Sequence, residues 1–207
     1  MFVVDADKSS LRQGDILAGI PFPRLDLGSI VILGKITEVT SGPLPSILPV
    51  NTIHRDDPNW ITAQVPVRIS FAVVISQCCD LEPRHGRFRL PAFAVARLIP
   101  VPKAIAEDES KLASLRSNKD PRDLTEPGYI NFFHIQSHEK LENREWVVDF
   151  NQTLSIPGSE FQTVLSNKLL QMDNGSRVRF KIKLGVSMAR LTEEENKEGL
   201  GKMASVT

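Results

Sequence analysis

The sequence lacks the features that mark secreted and membrane proteins. Its only two cysteines, Cys78 and Cys79, are adjacent, so they cannot build the disulfide framework of a small secreted domain. No apolar run approaches the roughly 18 to 20 residues of a membrane-spanning helix. The first ten residues have no basic start followed by a long apolar stretch, as a secretory signal would. These absences predict a cytoplasmic protein with no membrane partner.

An excess of charge of either sign is also missing. The chain has 25 basic and 25 acidic side chains, which excludes a polybasic arm and a highly charged disordered chain. With 207 residues, of which 41 % are hydrophobic, the chain can bury a core of its own. We expect a single domain over residues 1–200, a frayed tail over 201–207, and a long proline-rich loop over 42–60.

Apolar patterning separated by turn signals predicts a mainly β protein. We expect strands at residues 14–21, 28–40, 67–76, 88–101, 129–136 and 145–150. The run from Phe71 to Ile75 is continuously apolar and fits a central strand. In the following strand, Pro91 and Pro100 mean either that the strand lies at an edge of the sheet or that the two prolines lie at its ends. Residues 103–118 have good helix formers and no Gly or Pro, which predicts an internal helical insertion.

The C-terminal stretch is ambiguous. Alternate apolar residues from Val178 to Val186 have the period of a strand, and this period slightly favours a strand. However, Val178, Ile182, Gly185 and Ala189 would also line one face of a helix. The segment counts give an α+β fold, with a strongly bent antiparallel sheet or a small barrel.

Three segments resemble the MazF/PemK (Kid) toxin family. They are Gly14-Asp15-Ile16-Leu17 at the start of the first strand, Val73-Val74-Ile75-Ser76 at the end of the buried strand, and Asn167–Leu191 near the C-terminus. The resemblance implies an SH3-like barrel with a terminal helix, which favours the helix in the ambiguous segment. The pattern Ile75–Leu81 also resembles uncharacterised prokaryotic proteins encoded near mobile-element and phage-defence genes, which implies a similar setting.

The resemblance also implies where a catalytic pair would lie. The family places an Arg just before the buried strand and a Thr or Ser at the close of the next strand. Arg68 lies near the first position, two residues early, whereas Ala94–Pro100 offers Arg97 and no hydroxyl. Cleavage of RNA needs a proton-transfer group or charge stabiliser at the phosphate, so the family's fold carries over and its activity does not. If the chain does cleave RNA, Arg68, Arg97 and His85 are the residues to test.

The cysteine pair offers two further kinds of chemistry. Cys79 would be a nucleophile if His85 acted as its base, with Arg84 and Arg87 favouring the thiolate. Alternatively, one cysteine belongs to the core. A zinc site of Cys78, Cys79 and His85 with His134 or His138 has poor spacing, because adjacent cysteines point to opposite sides of a strand. We therefore predict no metal.

Two stretches are basic without any acid. Arg84–Lys103 contains Arg84, Arg87, Arg89 and Arg97, and Arg177–Arg190 contains Arg179, Lys181 and Lys183. If the fold joined them, they would form a face able to hold the phosphates of single-stranded RNA or DNA. The alternative is two separate solvated faces.

Acidic residues offer a separate possibility. Asp15, Asp80 and Asp149 each lie at a strand end, where they would either cap turns or converge on a divalent cation.

The leading function predicted from the sequence is nucleic-acid interaction without catalysis, or with weak catalysis, in a prokaryotic defence or toxin–antitoxin system. The first alternative is a MazF-type endoribonuclease with relocated catalytic groups. The second is a structural subunit whose loop from Gly42 to Trp60 binds a protein partner, and a homodimer is a further possible assembly. No Gly-rich phosphate loop and no hydrolase motif occurs, so no cofactor is predicted.

Overall fold

The computed structural model describes residues 1–23, 31–32, 63–64, 66–77, 81, 90–118 and 129–189. The strands in this part of the chain are β1 Ile16–Pro23, β2 Val31–Ile32, β3 Ala63–Gln64, β4 Val67–Val74, β5 Ala92–Pro100, β6 Phe132–Ile135, β7 Trp146–Pro157 and β8 Lys168–Leu170. The helices are α1 Lys103–Ala106, α2 Glu109–Ser117, α3 Phe161–Ser166 and α4 Asn174–Ala189, and 3₁₀ turns lie at Glu139–Leu141 and Gly158–Glu160. The predicted α+β class, with strands in the majority, is confirmed.

Six strands form one sheet in the order β6-β7-β5-β4-β1-β8. The pairings of β1 with β8, β4 with β5, β5 with β7 and β6 with β7 are antiparallel. The edge strands β6 and β8 do not pair with each other among the described residues, so the sheet is open and a closed barrel is not formed there. Pro91 immediately precedes β5 and Pro100 ends it, which lets this strand lie inside the sheet.

The buried strand predicted around Phe71 to Ile75 is confirmed. In β4, Ala72, Val73 and Val74 are fully buried, because β4 lies between β5 and β1 and both faces of the sheet are covered at its end. The start of the same strand is exposed, so β4 passes from solvent into the core along its length.

Helices pack on both faces of the sheet. On one face, Phe180 of α4 contacts Phe133 and Phe150, with ring centroids 5.1 and 5.7 Å apart. On the opposite face, Leu112 and Leu115 of α2 pack with Val147 of β7. Ala96 and Leu98 belong to the α4 side, so Arg97 between them points to the α2 side.

The C-terminal segment is a helix, and the slight preference of the periodicity for a strand was wrong. The Asp173 carboxylate accepts hydrogen bonds from the Ser176 amide at 2.7 Å and the Ser176 hydroxyl at 3.2 Å, which satisfies groups at the start of the helix. The helix buries Phe180 and Leu184 and leaves Val178 and Ile182 in solvent. A strand would have placed all four side chains on one face.

Several elements differ from the prediction in extent. The internal helix is two helices, because Asp108 adopts an extended backbone and caps α2 by accepting from the Lys111 amide at 3.1 Å. Strand β7 extends to Pro157, and β8 and α3 were not predicted. The loop 42–60 and the tail 201–207 lie outside the described residues.

The chain divides into two compact units, Met1–Ile20 with Ser70–Thr207, and Pro21–Ile69. The first unit holds α1 to α4, β5 to β8 and the adjoining parts of β1 and β4. In the second unit β2 pairs antiparallel with β3. No helix in the described part of the chain combines the length and apolarity needed to cross a membrane.

Candidate functional site

The candidate site lies at an irregularity in the pairing of β5 with β7. Ala96 is paired with Thr153, but the next residue, Arg97, is paired with Asp149. The register with β5 therefore skips residues 150–152, and β7 bulges here. Bulges redirect side chains and are common beside functional sites. This one brings polar side chains from three strands together.

Arg97 is the centre of this polar group, which we call the Arg97 cluster: Ser70, Arg97, Asp149 and Gln152. The Arg97 Nε donates to the Ser70 hydroxyl oxygen at 3.2 Å, and its Nη1 donates to Gln152 Oε1 at 2.7 Å. The Gln152 amide in turn donates to Asp149 Oδ2 at 2.7 Å. The other Asp149 oxygen accepts from the Asn151 amide at 2.9 Å, which holds the bulge closed. The guanidinium of Arg97 is thus held in place from two directions.

The chemistry of the Arg97 cluster suits an anion. A guanidinium presents planar N–H donors that match the oxygens of phosphate or carboxylate. Ser70 and Gln152, which accept from it here, are neutral side chains. Arg97 is half-buried, so it is reached from solvent but partly shielded from it. The described histidines contact other groups: His134 lies beside Glu145 and His138 packs against Phe2. The described cluster therefore holds an anion-binding group and a hydroxyl but no imidazole.

The other predicted site residues are dispersed. Arg68 is exposed and belongs to the Pro21–Ile69 unit. Arg179 and Lys181 are exposed on α4, which covers the face of the sheet opposite Arg97. The basic side chains of β5 and α4 are therefore not brought together. Cys79, Arg84, His85, Arg87 and Arg89 lie outside the described residues.

Lys183 is buried rather than on an exposed basic face. Lys183 is 4 % exposed, and it lies one turn after Phe180 on the inner side of α4. No acidic side chain pairs with it among the described residues, and burial lowers the pKa of its amine to about 8. Lys183 differs from Arg179 and Lys181 of the same basic stretch, because a helix places residue 183 beside the core residues Phe180 and Leu184.

The carboxylates do not converge on a cation site. Asp15 forms a fully buried ion pair with Lys168, at 2.7 Å, and also accepts from the Arg12 amide at 2.7 Å. Burial raises the pKa of Asp15, and the hydrogen bond and charge of Lys168 oppose that rise. Asp149 belongs to the Arg97 cluster and Asp80 lies outside the described residues. Within the described ranges, no three His, Cys, Asp or Glu side chains are grouped as a metal site would require.

A second polar group lies at the β6 edge. Arg116 donates to both oxygens of Glu145, at 3.0 and 3.1 Å, and Glu145 Oε1 lies 3.4 Å from Nε2 of the buried His134. The Asn118 side chain makes two hydrogen bonds to the backbone of His134: its Oδ1 accepts from the amide at 2.7 Å, and its Nδ2 donates to the carbonyl at 2.9 Å. Burial lowers the pKa of His134, and the neighbouring Glu145 carboxylate opposes that change.

Sequence reasoning missed Ser70 and Gln152. Ser70 lies on β4, and its position beside Arg97 follows from the pairing of β4 with β5, Ala72 opposite Arg97. A register of this kind is not visible in the sequence. The one usable signal was a hydroxyl two residues after Arg68 on a strand already under consideration. Gln152 reaches Arg97 only because β7 bulges.

Comparisons with known proteins add nothing to this picture, since no protein-family model and no curated protein matches the chain. The relation to the MazF/PemK family therefore stays a prediction.

Proposed function

We propose that this protein binds single-stranded nucleic acid, with the Arg97 cluster holding a backbone phosphate. The observation that carries the proposal is the fixed guanidinium of Arg97, bonded to Ser70 and Gln152 at a bulge of the sheet. Proteins that bind single strands follow the backbone with cationic groups. The Arg97 cluster offers such a group in a prepared orientation.

Preorganisation is the physical basis of the proposal. A flexible arginine side chain on a protein surface loses conformational entropy when it binds a ligand, and this loss weakens binding by roughly 0.5–1.5 kcal/mol. Arg97 is already ordered by Ser70 and Gln152, so part of that cost is met on folding. The neutral side chain of Gln152 separates the guanidinium from Asp149 in this chain of hydrogen bonds.

Binding without cleavage is the leading form of the proposal. General acid–base cleavage needs a group that accepts a proton within hydrogen-bond reach of the attacking hydroxyl. In the described cluster Asp149 is the only carboxylate, and both its oxygens already accept hydrogen bonds. The cluster is therefore better suited to holding a phosphate than to activating a nucleophile.

An endoribonuclease is the second candidate, and the contact of Arg97 with Ser70 favours it. The segment Ala94–Pro100 lacks the hydroxyl that the MazF-type pair requires, and Ser70 supplies one from the neighbouring strand, 3.2 Å from Arg97 Nε. In this form Arg97 would stabilise charge on the phosphate and Ser70 would orient it.

The finer fold and the biological setting are also proposals. The motif at residues 14–17, the buried end of β4 and the capped helix α4 support a divergent MazF-like sheet, whose edge strands β6 and β8 are unpaired with each other within the described ranges. The resemblance of Ile75–Leu81 supports a role in prokaryotic defence or in a toxin–antitoxin system.

The experiment is fluorescence anisotropy of a labelled single-stranded RNA, followed over time and across salt concentrations. We expect a stable rise that falls with salt, because phosphate contacts release counterions. Arg97→Gln should weaken binding about tenfold or more, as expected for loss of a charge-assisted hydrogen bond. Arg144→Gln is the matched control, since Arg144 is an exposed arginine that stacks on Trp146.

The outcomes separate the functions. A rise that decays as the RNA is cut, and that is stable in Ser70→Ala, would support the endoribonuclease. A flat trace for the folded wild-type protein would reject both nucleic-acid functions and favour a subunit that binds another protein. Circular dichroism of each variant checks that loss of binding is not loss of fold.

A further inference from the structure

The outer face of α4 carries apolar side chains that no other described part of the chain buries. Val178 is 54 % exposed and Ile182, one turn later, is 38 % exposed. Gly185 continues the same line, and a side chain placed there would meet no atom within 4 Å. We call Val178, Ile182 and Gly185 the outer stripe. The opposite side of the helix is fixed to the core by Phe180 and Leu184, so the helix cannot turn to bury the outer stripe.

Positive charge flanks the outer stripe on both sides. Successive residues of an α-helix are rotated by about 100°, so Arg179 and Lys181 project from opposite flanks of the line through Val178 and Ile182. Both side chains are exposed. The helix from Asn174 to Ala189 contains no acidic residue, so nothing within it balances these charges.

We propose that the outer stripe binds an acidic amphipathic helix of a partner protein. The apolar side chains of that helix would pack on Val178 and Ile182, and its carboxylates would pair with Arg179 and Lys181. Gly185 would let the two helix backbones approach closely, because it places no side chain between them. Apolar anchors at helical spacing are the usual basis of helix recognition by another helix.

Charge and side-chain type favour this occupant over three others. A second copy related by symmetry would bring Arg179 and Lys181 close to the same residues of its partner, and like charges in an interface are unfavourable. A membrane-surface helix inserts Trp, Phe or Leu, and the outer stripe has none of these. A nucleic acid would use the two cations but would gain little from an exposed valine and isoleucine.

The test uses the full chain and a labelled synthetic peptide of 16 residues, the length of α4. The peptide carries leucines at helical spacing and glutamates on both flanks. We expect saturable binding that weakens with salt. Ile182→Glu should lower affinity about tenfold or more, since it places a carboxylate where apolar contact is needed. Ile130→Glu is the matched control, because Ile130 is 36 % exposed and lies outside α4.

Charge is tested separately from apolar contact. In Arg179→Gln/Lys181→Gln, affinity for the acidic peptide should fall and its salt dependence should nearly vanish. A peptide with glutamine in place of glutamate should bind the wild-type protein weakly. Equal binding of the two peptides would overturn the acidic character of the partner.

Other results would overturn the proposal as a whole. These are no binding of the acidic peptide up to about 1 mM, an equal loss in Ile130→Glu, dimerisation that Ile182→Glu abolishes, or binding to phosphatidylserine vesicles that Ile182→Glu abolishes. Since the Arg97 cluster lies on the opposite face, Arg97→Gln should leave peptide binding unchanged. Failure here is therefore distinguishable from failure of the proposed nucleic-acid function.

Discussion

Replacing Lys183 with methionine should stabilise the protein at neutral pH. Lys183 is 4 % exposed, has no ion-pair partner among the described residues, and has its pKa lowered from 10.5 to about 8. In the unfolded chain the amine is charged and hydrated, whereas in the folded protein it must be charged while buried, or lose its proton. Methionine has a similar length and no charge, so it removes this cost and keeps most of the packing.

The size of the effect follows from the lowered pKa. Each pKa unit corresponds to about 1.4 kcal/mol, so the charged amine of Lys183 costs about 3 kcal/mol of folding free energy at pH 7. The unfolded state binds more protons than the folded state between pH 8 and 10.5, so wild-type stability rises with pH across that window. At pH 9.5 the cost should have fallen to about 1 kcal/mol.

The assay is urea unfolding of wild-type and Lys183→Met protein at pH 7 and 9.5. We expect the variant to be more stable at both pH values, with the gap shrinking at the higher pH. Lys181→Met is the control, because Lys181 is exposed on the same helix. Its stability at pH 7 should differ from that of the wild-type protein by no more than about 0.5 kcal/mol. A variant that is less stable at pH 7, or a gap that does not change with pH, would refute the reasoning.

Three further predictions concern stability and can be checked by urea or thermal unfolding. Lys168→Met should lower the free energy of unfolding by about 3 to 5 kcal/mol, because it leaves the Asp15 carboxylate buried without its partner. The double variant Asp15→Asn/Lys168→Met should recover part of this loss. If the losses of the two single variants simply add in the double variant, this account is contradicted. Gly185→Ala should stabilise α4 by up to about 1 kcal/mol, because the position is open and inside a helix; destabilisation would show that another group occupies the space. Asn118→Gly keeps the left-handed backbone (φ 44°) but removes both hydrogen bonds to His134. The free energy of unfolding should fall by about 1 to 3 kcal/mol, and an unchanged value would mean that water replaces the two bonds.

The strands were predictable where the local pattern is strong. The run from Phe71 to Ile75 is apolar without interruption, and its short length and β-branched and aromatic content favour a central strand over a helix. Short elements such as β8 and α3 were missed. They are three and six residues long. Strand β8 depends on its pairing with β1, and α3 packs its Phe161 against Phe93 of β5; no local sequence pattern records either contact.

The helix α4 shows how a periodic pattern can mislead. Its apolar residues at 178, 180, 182, 184 and 186 alternate as in a strand, yet only Phe180 and Leu184 are needed for the core. The sequence signal that favoured the helix was the spacing of Val178, Ile182, Gly185 and Ala189, which places them on one helical face. In the structure, Asp173 caps this helix by accepting from the Ser176 amide. The resemblance to MazF-like proteins pointed to the helix for an independent reason.

The candidate site was predicted only in part. Arg97 was singled out for two reasons: it lies in Ala94–Pro100, where the resembled family has a hydroxyl, and in the acid-free basic stretch Arg84–Lys103. Its partners depend on the register between β4 and β5 and on the bulge in β7. The sequence also could not separate the exposed cations of α4 from Lys183, since that separation depends on which side of the helix packs on the sheet.

The most direct test of the account is an NMR titration that observes the Nε–H group of Arg97 as single-stranded RNA is added. We expect this resonance to shift and saturate at the same RNA concentrations that saturate the anisotropy, with the Nε–H groups of Arg144 and Arg179 unchanged. An unchanged Arg97 resonance while RNA is bound would contradict the account, because the nucleic acid would then lie on another surface.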